Sequence, residues 1–336
     1  LKLEELATLL NIPELPAYIM KTDQLIKDIL TVSDSTLHDA SLRLVEAGGK
    51  RLRPFFVIAA ASSQGGYIDD NVIACCASIE LAHIGTLVHD DIIDDAEARW
   101  GIPTVNAKEG VSSAILVGDY LLALAAAEAA TVSKEVAHLV AATIAEMCDG
   151  QSQETSDNYN VDRSIESYRK TIYKKTAALT SAACHIGAIC AGLPDKQVVA
   201  LSKYGEAFGM AFQITDDLLD LLSTPEAMGK PVGNDIKEGV YTLPLLMALQ
   251  GEHRDEVSSW LGETPRSQPS QKKMVETLRS SGVIDETLKE IRKYNDLAAT
   301  SLLDLKKNGV VKGLGCLPDA YLGWALKKQT AISHKL

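Results

Sequence analysis

Two stretches decide the reading of this chain: LVHDDIID at residues 87–94 and QITDDLLD at residues 213–220. Each sets three aspartates inside an otherwise apolar run. In a helix, residues four apart lie about one turn apart on the same face. Asp90 and Asp94 therefore point the same way, with Asp91 offset by about 100°. In the second stretch, Asp216 or Asp217 shares a face with Asp220. Like charges at this spacing destabilise a helix by roughly 0.2–0.5 kcal/mol even in water. Burying unpaired carboxylates costs far more. A helix that carries both penalties needs a cation, and hard divalent ions such as Mg²⁺ take carboxylate oxygens while bridging to phosphate groups. A lone DDxxD is more often a solvated acidic face, but its recurrence inside a second apolar helix argues for metal binding.

Outward from these stretches the pattern stays helical. Residues 104–193 contain no proline, and alanine and leucine dominate, as in LLALAAAEAA at 121–130. No strand alternation of useful length is visible. The reading is all-α, with ten or more helices in one large domain over residues 1–336 and GETPRSQPSQ at 262–271 as a surface loop. Periodicity predicts helices over roughly 74–95, 165–191 and 197–222. The first carries Ile79, His83, Thr86, Asp90 and Asp94 on one face. The second starts at an N-cap, Ser164, and stops at Gly192 with Pro194. Its apolar stripe runs Ile165, Tyr168, Ile172, Leu179, Ala183, Ile186 and Cys190, interrupted by Lys175. The third carries Gly209, Gln213, the aspartates 216 or 217, and Asp220. Three helices thus place polar groups where a core is expected.

Composition narrows the chemistry. The 336 residues are 46% hydrophobic and 23% charged, as in an ordinary globular protein. A formal net charge of −12 argues against a nucleic-acid surface. It also means that an anionic substrate needs local cations or a bound metal. One cationic cluster stands out, GGKRLRP at 48–54, where Lys50, Arg51 and Arg53 follow a glycine pair at a helix start. Such a helix N-terminus suits a phosphate. No apolar run is read as long enough to span a bilayer, and no signal peptide is seen. The six cysteines form no CxxC pair, and five of them are expected to be buried packing thiols of a cytoplasmic protein.

The ordered motifs GGKRLRP, LVHDDIIDDAEARWG, GDYLL, KKT, FQITDDLLD and GKPVGND resemble the trans-isoprenyl diphosphate synthases, in particular the long-chain heptaprenyl and octaprenyl type. The resemblance is strong over about residues 20–250. It implies one helical bundle around a central cavity, the isoprenoid synthase fold, and a homodimer or a heterodimer. It implies Mg²⁺-dependent head-to-tail condensation of isopentenyl diphosphate onto an allylic diphosphate. Loss of pyrophosphate leaves an allylic cation, isopentenyl diphosphate attacks it, and the departing pyrophosphate takes the final proton. Transient membrane contact would accompany product release.

Carried over position by position, Asp90, Asp91 and Asp94 match the first metal motif, and Asp216, Asp217 and Asp220 the second. Lys50, Arg53 and His83 match the isopentenyl diphosphate site. Arg99 should hold the allylic diphosphate. Lys175, Thr176, Gln213 and Lys230 match groups that bind this substrate and steady the cation, with the first three as catalytic candidates. Arg51 is left out of the site as a surface or structural arginine. One departure is notable: Trp100 stands where the family has a second arginine, and a tryptophan cannot replace a guanidinium fork on a phosphate. Short-chain members place aromatic residues one turn before the first aspartate. Gly85 and Thr86 stand there, and Ala123, Ala125, Ala126 and Ala127 follow on the next helix. The resemblance then implies an open tunnel and a long product, such as a quinone side chain. A terpene cyclase, an HD-type phosphohydrolase and a partner-dependent or shorter-chain synthase are the competing readings. A cyclase would replace the second DDxxD, and the histidines supply no phosphohydrolase ligand set.

Overall fold

The computed structural model describes residues 1–31, 37–222, 234–262 and 268–333. The helices are α1 (Leu3–Leu10), α2 (Leu15–Thr31), α3 (His38–Ala47), α4 (Leu52–Ser62), α5 (Asp70–Ile93), α6 (Val105–Glu109), α7 (Val111–Val132), α8 (Lys134–Ser156), α9 (Ile165–Ile172), α10 (Ala178–Cys190) and α11 (Asp195–Leu222). They continue as α12 (Asn234–Glu238), α13 (Leu243–Gln250), α14 (Arg254–Leu261), α15 (Gln268–Ser280), α16 (Val283–Ser301) and α17 (Gly309–Ser333). The all-α expectation holds. The described residues divide into two compact units, each built from separate stretches of chain. One comprises Leu1–Ala145, Leu179–Gly205 and Ser301–Leu314, the other Glu146–Ala178, Glu206–Thr300 and Gly315–Leu336.

In the first unit α5 is the central helix. Asp69 caps it, its side chain accepting from the Val72 amide at 3.0 Å. Every residue from Val72 to Ala82 is buried, so the helix is enclosed on all sides over three turns. It packs on α2, α4 and α7. The buried residues of α7 are Ala114, Val117, Gly118, Leu121, Ala125 and Ala129, a stripe at steps of three and four. That register corrects one expectation. Ala125 faces the core, whereas Ala123 and Ala127 are exposed and Ala126 is half-buried. Helices α5 and α7 approach closely through glycines. A Cβ at Gly118 would lie 2.1 Å from Nε2 of His89, and one at Gly85 would lie 3.0 Å from the Leu122 side chain.

Two further expectations are corrected here. Both α5 and α7 are long and apolar enough to cross a membrane by length and composition, although α5 is largely buried as a core helix. Of the six cysteines, Cys75, Cys76 and Cys184 are buried and Cys190 is half-buried, while Cys148 and Cys316 are exposed.

A small hairpin breaks the helical rule. Ala98–Arg99 pairs antiparallel with Ile102–Pro103. Its two loop residues, Trp100 and Gly101, have φ of 51° and 82°. Two consecutive positive φ values are the mark of a type I′ hairpin turn, and an aromatic residue there is uncommon.

In the second unit the core gathers Tyr168, Ile172, Ile214, Leu218, Tyr241, Leu246 and Ile291, drawn from α9, α11, α13, α16 and the segment before α13. Ser164 caps α9 as expected, accepting from the Ser167 amide at 3.0 Å. The helix predicted over 165–191 is not uniform. A π-turn at Tyr173–Ala177 separates α9 from α10. It widens the backbone at KKT, and such π-bulges occur often at functional sites. The turn sits against Gly150 of α8, where a Cβ would lie 2.7 Å from Cβ of Lys174 and 2.8 Å from the Lys175 nitrogen.

Candidate active site

Both aspartate motifs lie at helix C-termini. Asp90 and Asp91 fall in the last turn of α5, and Asp94 is its C-cap. Asp216, Asp217 and Asp220 fall in the last two turns of α11. Neither helix has a basic residue in its last turn. The helix macrodipole is negative there, so each carboxylate is disfavoured by about 0.3–1 kcal/mol. Three carboxylates at the wrong end of a helix are a stronger demand for a cation than their spacing alone.

In the first unit, the middle aspartate is set apart. Asp91 is 2% exposed, whereas Asp90 is half-buried and Asp94 exposed. Nε and Nη2 of Arg99 each lie 2.7 Å from Oδ1 of Asp91. The hairpin strand is what aims Arg99 back at α5. Asn106 closes the turn, donating to the carbonyls of Asp91 at 3.3 Å and Ala96 at 3.1 Å.

The GGKRLRP loop is pinned by the residue left out of the site. Arg51 is 8% exposed and has a φ of 47°. Its Nε donates to Asp23 at 2.6 Å, Nη1 to Glu80 and the Gly48 carbonyl at 3.1 Å, and Nη2 to the Val45 carbonyl at 2.7 Å. This guanidinium ties α2, α3 and α5 to the loop that presents Lys50 and Arg53. Lys50 is exposed and Arg53 half-buried at the start of α4. Beside the loop lies a cavity of ≈ 720 Å³ whose lining includes Lys2, Lys27, Gly49 and Lys50. Burial pushes the Glu80 carboxyl up against the pull of Arg51 and Arg53. Burial, with Arg53, Arg99 and Arg51 nearby, holds the His83 imidazole well below its ordinary range. His83 is therefore neutral at pH 7 and can offer one N–H, not a charge. Trp100 also reaches this loop: its Cη2 lies 3.8 Å from where a Cβ on Gly49 would stand. An aromatic edge thus covers the loop glycine.

In the second unit the polar side chains of α9, α11 and the π-turn interlock. Thr176 Oγ1 donates to Oε1 of Gln213 at 2.7 Å, and Nε2 of Gln213 donates to Oδ1 of Asp217 at 2.8 Å. The hydroxyl of Tyr168 donates to Oδ2 of Asp217 at 2.5 Å. Asp217 is 6% exposed. Burial pushes its carboxyl up to about 7, with Asp216 and Glu154 adding repulsion while the two hydrogen bonds pull the other way. Asp235 is pushed up to about 8 by burial and by Asp217, Asp220, Glu238 and Glu154. Tyr321 donates to Oδ1 of Asp216 at 2.9 Å. Lys175 is half-buried and ion-paired with Glu154 of α8. It is held by a carboxylate at the π-turn, not enclosed in an apolar stripe.

Among the described residues, no three or more His, Cys, Asp or Glu side chains converge closely enough to hold an ion by themselves. The donor set is nonetheless hard carboxylate oxygen, gathered at two helix ends. That suits Mg²⁺ or Ca²⁺, which keep open positions for water and substrate phosphates.

The sequence-derived residues are thus grouped by unit. Lys50, Arg53, His83, Asp90, Asp91, Asp94 and Arg99 belong to the first, and Lys175, Thr176, Gln213, Asp216, Asp217 and Asp220 to the second. Lys230 lies outside the described residues. Of the two chain-length candidates, Gly85 is buried against α7, while Thr86 is half-buried and shares the face of Asp90 and His83. Four contributors were missed: Glu154, Gly150, the Tyr168 hydroxyl and Asp235. Asp235 stands inside GKPVGND, so its motif was visible. Glu154 and Gly150 sit on α8, which carries no motif of its own.

Residues 34–278 match the family model described as polyprenyl synthetase. The chain is 44% identical over 217 residues to heptaprenyl diphosphate synthase component 2 of Geobacillus stearothermophilus, covering 64% of this chain and 68% of that protein. It is 42% identical over 237 residues to nonaprenyl diphosphate synthase of Mycobacterium tuberculosis, covering 70% of each. A crystal structure of polyprenyl synthase from Caulobacter crescentus CB15, complexed with calcium and isoprenyl diphosphate, superposes with a TM-score of 0.86 at 31% identity, covering 94% of this chain and 97% of that one. The chain belongs to the polyprenyl synthetase family.

Proposed function

We propose that this prenyltransferase adds isopentenyl diphosphate head to tail onto an allylic diphosphate and releases a long-chain all-trans polyprenyl diphosphate, the precursor of a quinone side chain. The observation that carries the reading is the pair of aspartate motifs, each gathering three carboxylates at the end of a helix.

The residues divide the work. Asp90 with Asp94, and Asp216 with Asp220, would hold Mg²⁺. When bound, Mg²⁺ neutralises the allylic diphosphate and the charge that develops on the leaving group. In the first unit, Arg99 is oriented by Asp91 and presents its remaining N–H groups to a diphosphate. Lys50 and Arg53 flank the N-terminus of α4, where backbone N–H groups add to the attraction for the isopentenyl diphosphate. Neutral His83 contributes a hydrogen bond there without repelling the three arginines near it. In the second unit, Lys175 supplies positive charge from the π-turn. The Thr176 and Gln213 dipoles, fixed by Asp217, are preorganised groups that steady a developing cation.

Product length rests on Thr86, the small residue one turn before Asp90 on the same face. The enzyme works in the cytoplasm as a homodimer, for which the apolar exposed face of α7, with Val111, Ile115 and Leu116, offers a surface. A second reading, a subunit that needs a different partner, is favoured by Trp100 in place of a cation and by the relative named component 2. Incubating the purified chain alone with Mg²⁺, farnesyl diphosphate and labelled isopentenyl diphosphate tests both. Elongated product of six or more isoprene units is expected. No elongation until a partner is added would replace the first reading by the second.

A further inference from the structure

We propose that Tyr168 is a positioning residue of the reaction: its hydroxyl holds Asp217 as the anchor of Gln213 and Thr176, so Asp217 serves as an internal scaffold and not as a metal ligand. This rests on the synthase reading.

Asp217 has both oxygens engaged, Oδ2 by the Tyr168 hydroxyl at 2.5 Å and Oδ1 by the Gln213 amide at 2.8 Å. It is 6% exposed, against the half-buried Asp216 and Asp220 on the same helix. With one hydrogen bond on each oxygen, the buried carboxylate cannot turn toward an ion without loosening one of these bonds and weakening the pairing of a buried hydroxyl or amide. Tyr168 is itself fixed. It is 1% exposed, and the guanidinium of the buried Arg163 stands 5.7 Å from its ring centroid. Arg163 is held in turn by the Tyr241 carbonyl at 3.2 Å and by Asp157 at 3.1 Å.

The directions of the hydrogen bonds follow from this anchor. Tyrosine must donate to the carboxylate. The second oxygen accepts from Nε2 of Gln213, which turns Oε1 of the same amide toward Thr176. The Thr176 hydroxyl then donates to Oε1 at 2.7 Å. An unanchored glutamine amide has two nearly equivalent orientations. The Tyr168–Asp217 contact selects one of them, and so sets the dipoles that Gln213 and Thr176 offer.

The test compares Tyr168→Phe, Gln213→Ala and the double variant. Tyr168→Phe keeps the buried ring and removes only the hydroxyl. It should lower kcat by about tenfold and leave KM for both diphosphates within about twofold. In the Gln213→Ala background the same change should cost less than about twofold, because it acts through Gln213. Mn²⁺ affinity, measured by paramagnetic titration without substrate, should stay within about twofold for Tyr168→Phe and Asp217→Asn. It should fall at least about tenfold for Asp216→Asn. A kcat of Tyr168→Phe within twofold of the parent, additive losses in the double variant, or loss of Mn²⁺ affinity in Asp217→Asn would each overturn the proposal. If the parent chain elongates nothing, the synthase reading is what fails. Denaturation midpoints of Tyr168→Phe, Asp217→Asn and their double variant then decide whether the link exists: non-additive shifts uphold it and additive shifts refute it.

Discussion

The motif ending α5 and the motif ending α11 have the same spelling and different chemistry around the middle aspartate. Asp91 is held by a guanidinium, both contacts falling on one oxygen. Asp217 is held by a phenol and an amide, one on each oxygen. The first arrangement uses the carboxylate to aim a cation, Arg99, and keeps the pair nearly neutral. The second uses it to aim neutral dipoles, in a place crowded by Asp216, Glu154 and Asp235, where burial and this repulsion push its carboxyl up. The difference teaches that DDxxD is a spacing with two separable functions. On the proposed reading, its outer positions would meet a cation, while its middle position organises the group that the neighbouring elements supply.

The largest effect should come from the outer carboxylates. Asp90→Asn and Asp216→Asn should each lower kcat by about 10³-fold or more, since each removes charge that opposes the leaving group. Steady-state incorporation of labelled isopentenyl diphosphate reads this, and equal losses from Asp91→Asn would erase the distinction between outer and middle positions. Next comes Arg99→Ala, which strands a 2% exposed carboxylate. Breaking a buried pair by removing one partner costs about 3 kcal/mol. A lower denaturant midpoint should accompany a KM for the allylic diphosphate raised about tenfold, whereas Tyr168→Phe should cost only about 1 kcal/mol of stability.

Gly150→Ala probes the π-turn. The new Cβ would overlap the Lys174 side chain and the Lys175 nitrogen, so kcat should fall about tenfold through displacement of Lys175 and Thr176. Thr86→Phe should act on product length, not rate. Mass analysis should show shorter prenyl chains, and an unchanged product would remove Thr86 from the length-setting role. Phe at Gly85 would instead collide with Leu122 and cost stability.

The smallest effect is the pH dependence of the metal-free chain. Asp217 at about 7 and Asp235 at about 8 bind protons in the folded state that the unfolded chain has already released. The folded state therefore holds more protons between the ordinary carboxylate range and these values. Stability from these groups falls as pH rises through about 7 and 8. Denaturant midpoints in chelator at pH 5 and pH 8 should show the fall, and Asp235→Asn should flatten it.

Much of this was legible in the linear sequence. The all-α class, the approximate course of α5, α9 to α10 and α11, the Ser164 cap and the two aspartate clusters all follow from residue spacing, because a helix converts sequence separation directly into angle. The four-way clamp of Arg51 was invisible, since its partners come from positions 23, 45, 48 and 80. Other features depended on where elements meet. Trp100 in a two-residue turn, the π-turn at KKT and Gly150 beneath it each reflect a backbone conformation or a close approach that no local period encodes. The alanines of α7 show the limit most simply: four small residues look equivalent in sequence, and only packing against α5 decides that Ala125 is inside.

Sequence by itself determined the helical class and the two places where carboxylates gather, because charge and 3.6-residue periodicity are local properties. Tertiary structure alone decided the surroundings of each aspartate. Asp91 and Asp217 are buried beside partners on other segments, and burial and hydrogen bonding are set by long-range contacts that separate residues with identical local spelling.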